Sequence, residues 1–295
     1  MEQKKQKKPL IAGFIWKNAF KVIRDNPIVF IPFLISCLVK LSALLGIFFS
    51  IFSPLSIVAA PIIRTLWGEA FLHYPMNFVL MPQVFYYKQI FIYIWLDGLL
   101  SAMAVWMVYK ANEGEKVSLG SAFRAVLPKY IMLASFLLMM FFAVYLAGYA
   151  ENFAFLKLMR FKFVSAIAKS GALEFIKVFL NFFVIGLIET MLVFVIPFIA
   201  LGNKTFFKAI GSSFETAKRL FGAAFLIVII PTLTLLPFSL LKIALPQLMD
   251  KTMPEITMAV LAGNVIMGML VDSMVTISAA LLFLARKDLL VEKAK

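Results

Sequence analysis

Long apolar runs, separated by short polar segments, divide the chain into six stretches that are each long enough to cross a bilayer. A membrane core about 30 Å thick needs ~20 mostly apolar residues in a helix. The stretches are approximately residues 28–52, 89–109, 130–150, 178–201, 221–245 and 256–285. The pattern predicts an all-α, polytopic helical bundle of about six transmembrane helices, forming one membrane-embedded domain over residues 1–295.

Three of these stretches contain an acid within the same short pattern. An aliphatic residue precedes the acid, and a small residue followed by two apolar residues comes after it. The acids are Asp97, Glu189 and Asp272. An ionisable side chain in hydrocarbon costs at least ~2.5 kcal/mol on insertion scales, so three repeated cases predict a polar interior.

Helical rise predicts that these acids share one depth in the membrane. Each precedes the cytoplasmic charge that ends its stretch by about 13 to 15 residues, or ~20 Å at 1.5 Å per residue. Counting from Pro27 places Lys40 of the first stretch at the same height. Lys40, Asp97, Glu189 and Asp272 are therefore predicted to form an intramembrane polar layer.

Short related segments around Phe20, Phe123 and Phe214 precede the odd-numbered stretches. The first has apolar and basic residues at the spacing of a helix that lies along a membrane surface. We interpret the chain as three hairpin repeats, at about 11–110, 115–202 and 203–287, each with a cytoplasmic interfacial helix before its two spans. Prolines between residues 53 and 88 predict that this connection lies on or dips into the outer surface.

The composition supports a membrane protein and restricts its chemistry. The chain is 63% hydrophobic and 15% charged, against about 25% charged residues in soluble proteins. No His or Cys cluster, H-E-x-x-H motif, Gly-rich phosphate loop or Gly-x-Ser-x-Gly context is present in the sequence. We therefore expect no cofactor, no metal and no catalytic residues, and an enzyme is the less favoured interpretation.

The positive charges indicate an orientation. The net charge is +14, but the Lys and Arg residues concentrate on tails and loops of one side, which predicts cytoplasmic N- and C-termini rather than nucleic-acid binding. One basic segment, within residues 152–176, would then lie outside. Lys157, Arg160 and Lys162 in this segment are expected to be interfacial lipid contacts, and a specific lipid or partner site is the alternative.

Two interpretations of the polar layer remain open at this point. In the structural one, Lys40 pairs with the nearest acid and the others are protonated or hydrogen-bonded, which holds the bundle together in a membrane scaffold. In the functional one, the layer lines a path or cavity for a proton, a cation or a lipid headgroup, as in a transporter-like or lipid-handling protein. Membrane lipids are the expected partners, with a protein partner on the cytoplasmic face in the scaffold interpretation.

A family resemblance agrees with the six-span architecture. The stretch from Ile196-Pro197-Phe198 to Lys218-Arg219-Leu220-Phe221, and Asn26-Pro27 before Phe30-Ile31-Pro32-Phe33, carry it. These residues resemble a pattern in poorly characterised bacterial six-span membrane proteins, the YciC-like proteins, and in the membrane domain attached to some glycerophosphodiester phosphodiesterases. The resemblance implies a bacterial cytoplasmic membrane location and a lipid-related role, and it supplies no catalytic residues.

Overall fold

The computed structural model describes residues 12–158, 172–202, 204–251 and 253–293, and the regular structure in these ranges is helical. Three short 3₁₀ turns lie at Pro27–Phe30, Glu69–Leu72 and Leu127–Lys129, and a π-helical turn lies at Tyr93–Asp97. The α-helices are α1 (Ala12–Asp25), α2 (Ile31–Phe49), α3 (Leu55–Trp67), α4 (Met76–Ile92), α5 (Gly98–Asn112), α6 (Leu119–Val126), α7 (Tyr130–Leu158), α8 (Ala172–Leu192), α9 (Val195–Ala200), α10 (Phe206–Arg219), α11 (Phe221–Leu233), α12 (Leu236–Lys251) and α13 (Ile256–Lys293).

Six helical segments in the described residues are long and apolar enough to cross a membrane, which confirms the predicted fold class. We refer to them as the first to sixth spans. They are Pro27–Phe49, Met76–Asn112, Leu119–Phe155, Phe175–Ala200, Phe221–Met249 and Ile256–Arg286.

The second span begins at Met76, well before residue 89, where the apolar pattern predicted it. Two prolines caused the difference. Pro75 immediately precedes the helix, and Pro82 lies inside α4. A proline inside a helix removes one backbone hydrogen bond, yet membrane helices tolerate it because neighbouring groups and local adjustments compensate. Residues 76–88 are therefore part of a span rather than of an outer connection.

Each span packs against the next, and the sixth span packs against the first, so the bundle closes. The three even-numbered spans also contact one another, through α5, α9 and α13. These helices carry small buried residues: Ala102, Ala104 and Ala280 are fully buried, and Ala279 is nearly so. In a membrane, helix association depends on such close packing because lipid tails are as apolar as the side chains. The even-numbered spans, which carry the predicted acids, thus meet in the middle of the bundle.

Amphipathic helices precede the first and fifth spans, and α6 forms the start of the third. In α1, Ala12, Ile15 and Ala19 are buried, whereas Lys17 and Lys21 on the other side are exposed. This helix packs against α11 and α13 of the last two spans. The interpretation as a threefold repeat, and the cytoplasmic position of these helices, stay predictions.

Candidate functional site

A buried ion pair links the first two spans. Lys40 Nζ lies 2.7 Å from Asp97 Oδ2, and Ser36 Oγ donates a 2.6 Å hydrogen bond to Asp97 Oδ1. Ser36 and Lys40 are four residues apart on α2, and so share one face of that helix. Their position explains how both can reach the same carboxylate. The side chains of Lys40 and Asp97 are only 15% and 11% exposed, so the pair is held away from solvent.

Glu189 and Asp272 are placed differently from Asp97. Within the described part of the chain, neither carboxylate has a hydrogen bond or an ion pair. Both lie in the wall of the cavity that Asp97 also lines. Glu189 is half-buried, and Asp272 is exposed, with its side chain at the cavity. Asp272 also interacts electrostatically with Lys40 and Asp97, and with Glu189, so the four predicted residues form one electrostatic group.

The cavity has a volume of about 190 Å³ and lies between the second, third, fourth, fifth and sixth spans. Most of its wall is aliphatic or aromatic. The polar side chains of the wall, besides the three acids, are Tyr93, Ser101, Thr232 and Thr276. Apolar walls with a few convergent polar groups are typical of small-molecule sites.

The backbone departs from the α-helix at three places around this cavity. The π-helical turn in the second span ends at Asp97. The fourth span breaks at Val193 and Phe194, just beyond Glu189, and the fifth breaks at Thr234 and Leu235. Irregular backbone at membrane depth is tolerated where protein buries it or where it lines a cavity. These breaks favour a binding site over a uniformly packed core, and π turns are frequent at functional sites.

The small residue that follows each acid in the sequence motif has a packing role. Gly98, Thr190 and Ser273 are all buried. The Thr190 hydroxyl donates to the carbonyl of Gly186, and the Ser273 hydroxyl donates to that of Leu270. A Cβ at Gly98 would lie 2.9 Å from Leu137 Cδ1 of the third span, so the glycine allows close helix contact next to Asp97, as small residues do in membrane proteins.

The charge balance of the layer is unequal. Three acids lie around one cation, and Lys40 is already held by Asp97. If all four groups are ionised, their sum is negative. A cavity of low dielectric strengthens the attraction of such a wall for a cation. The arrangement is chemically suited to bind a proton, an organic cation or the amine headgroup of a lipid.

Sequence reasoning missed two members of the site, Ser36 and Tyr93. Tyr93 lines the cavity and lies within electrostatic range of the three acids. Both residues precede a predicted site residue by four positions, Ser36 before Lys40 and Tyr93 before Asp97. That spacing marks side chains on one helix face and was the signal available in the sequence.

The predicted lipid-contact residues are described only in part. Lys157 is exposed near the end of α7, and its Nζ lies 4.5 Å from the centre of the Phe153 ring. Arg160 and Lys162 lie outside the described residues. Among the residues that the structure describes, no group of three or more His, Cys, Asp or Glu side chains is arranged to hold a metal ion.

Comparison of the chain with family models, with curated proteins and with solved structures finds no match. The resemblance to six-span bacterial proteins therefore stays a prediction. The length and hydropathy of the helices nevertheless define the class: this is a multi-pass integral membrane protein.

Proposed function

We propose that this protein is transporter-like and that its intramembrane cavity binds a substrate bearing a cationic group. The observation that carries the proposal is that Glu189 and Asp272 line one cavity and that, among the described residues, neither forms an ion pair. Acids within transmembrane helices mark ion, proton and substrate pathways. A substrate cation would supply the positive charge that this wall lacks.

Lys40 allows the proposed site to bind and release its substrate cation. It is paired with Asp97 and also interacts with Asp272, so it competes with a bound cation for the second acid. Binding of the substrate leaves Lys40 with Asp97, and release lets Lys40 stabilise Asp272. Broken helices beside a site near the middle of the spans are typical of transporters that open alternately to the two sides.

Two kinds of substrate carry a cationic amine, a soluble amine and a lipid with an amine headgroup. The second source is the lipid-handling form of the proposal. The proposal also places the protein in the bacterial cytoplasmic membrane with both termini inside, in keeping with the distribution of Lys and Arg.

The test uses the purified full chain in liposomes with three cargoes. Proton entry is followed with trapped pyranine, uptake of ethanolamine with a radiolabel, and lipid exchange between leaflets with dithionite bleaching of tail-labelled lipids. Phosphatidylethanolamine and phosphatidylglycerol are compared, because only the first has an amine. The Glu189→Gln, Asp272→Asn double variant is compared with Glu151→Gln, which neutralises a buried acid that does not line the cavity.

We expect protein-dependent movement of at least one cationic cargo that the double variant abolishes and that Glu151→Gln retains. Ethanolamine uptake or proton entry identifies a soluble cation, and selective exchange of phosphatidylethanolamine identifies a lipid. Equal rates in the folded double variant and the unaltered protein would overturn the proposal, as would no movement of any cargo above protein-free liposomes.

A membrane scaffold is the second candidate, and the ion pair favours it. Lys40, Ser36 and Asp97 tie the first span to the second through two short contacts, a function that needs no substrate. In a scaffold the acids of the cavity contribute only to packing. The folded Glu189→Gln, Asp272→Asn variant would then behave like the unaltered protein in each of the liposome assays.

A further inference from the structure

A second polar cavity lies between the fourth and fifth spans, at the end of the bundle away from the amphipathic helices. It has a volume of about 420 Å³. Lys177 and Asn181 line it from the first turns of the fourth span, and Ser239 lines it from the second half of the fifth. We propose that this cavity binds the phosphate headgroup of an anionic membrane lipid.

The polar groups of this cavity are suited to an oxyanion. Lys177 supplies a positive charge, and the Asn181 amide and the Ser239 hydroxyl supply neutral donors. Lys177 and Asn181 are four residues apart and therefore lie on one helix face. Charge-assisted hydrogen bonds to phosphate are about twice as strong as neutral ones, so this combination selects a phosphate over a neutral headgroup.

A second lysine increases the positive charge at this end of the bundle. Lys242 is half-buried and follows Ser239 by three residues on α12, one helical turn further along the fifth span. Within the described residues neither Lys177 nor Lys242 forms an ion pair. A cation inside a membrane span is costly unless an anion or a polar partner compensates it. A lipid phosphate at this depth provides an anion that can pair with these lysines.

An acid of the third span lies within electrostatic range of Lys177 without pairing with it. Glu151, buried at the end of the third span, interacts electrostatically with Lys177 but does not reach ion-pair distance. The anion used to test the proposal is phosphatidylglycerol, whose phosphodiester headgroup carries one negative charge.

The rest of the wall is suited to the tails of the lipid rather than to a free ion. Val178, Phe182, Ile185 and Ile243 line the cavity beside the polar groups. A soluble phosphate would leave this apolar surface unfilled, whereas acyl chains cover it. The site is separate from the acid-lined cavity, and the inference does not rest on the proposed transport function.

The test counts lipids that stay bound to the full chain. Native mass spectrometry in detergent is performed after equilibration with phosphatidylglycerol, phosphatidylethanolamine or inorganic phosphate. We compare Lys177→Gln and Lys242→Gln with Lys218→Gln, which removes an exposed lysine in the last turn of α10. Lys177→Arg keeps the charge and serves as the rescue variant.

We expect one tightly held phosphatidylglycerol, little phosphatidylethanolamine, and affinity that falls roughly tenfold or more in Lys177→Gln, the loss typical of one charge-assisted hydrogen bond. Lys177→Arg and Lys218→Gln should bind nearly as well as the unaltered protein. Retention in folded Lys177→Gln and Lys242→Gln at the original level would overturn the inference. So would equal loss in Lys218→Gln, which indicates general attraction to anionic lipid, or saturation by inorganic phosphate alone.

Discussion

Removal of the lysine from the buried pair should cost more stability than removal of the acid. Lys40→Met leaves Asp97 without its cation and beside two further acids. Removing one partner of a buried pair typically costs ~3–5 kcal/mol because the remaining charge is uncompensated. Asp97→Asn is milder, at ~1–3 kcal/mol, since the amide oxygen still accepts from Ser36 and Lys40 still interacts with Asp272.

The double variant Lys40→Met, Asp97→Leu should recover most of this loss, because replacing a buried pair with apolar side chains is often neutral or stabilising. The free energy of unfolding is measured in mixed detergent micelles from the helical circular dichroism signal, as a double-mutant cycle. Lys88→Met removes an exposed lysine of the second span and is the control. A Lys40→Met variant that is as stable as Asp97→Asn would refute the reasoning, as would additive losses in the double variant.

Two further predictions concern packing and access. Gly263→Ala should destabilise by ~1–3 kcal/mol, because its Cβ would lie 2.6 Å from a Phe238 ring carbon. A Cβ at Gly268 on the same helix would meet nothing within 4 Å, so Gly268→Ala should be neutral or stabilising by up to ~1 kcal/mol. Equal stabilities of the two variants would contradict the close contact between Gly263 and Phe238. Dicyclohexylcarbodiimide modifies protonated carboxyl groups that are reachable from lipid. It should label Glu189 but not the paired Asp97, and peptide mass spectrometry measures the extent at each site. Equal labelling of the two residues would disprove the difference in their surroundings.

The sequence predicted the spans well because twenty apolar residues leave few alternatives to a membrane helix. It misjudged the start of the second span because Pro82 looks like a break in the sequence and is accommodated inside α4. For the candidate site, the four charged residues were predicted from their cost in hydrocarbon. The sequence did not identify which acid Lys40 pairs with, since both the second and the sixth spans pack against the first, and only the packed structure decides between Asp97 and Asp272.

The π-helical turn that ends at Asp97 has a mechanical consequence for the second span. A π turn contains one more residue than an α turn at that point. If the extra residue passes along the helix, the part that carries Asp97 turns by about 100° and advances by about 1.5 Å, the values for one residue of an α-helix. The π turn is thus a point at which the second span can change its helical register. The contacts of Asp97 with Lys40 and Ser36 hold the span in the register described here.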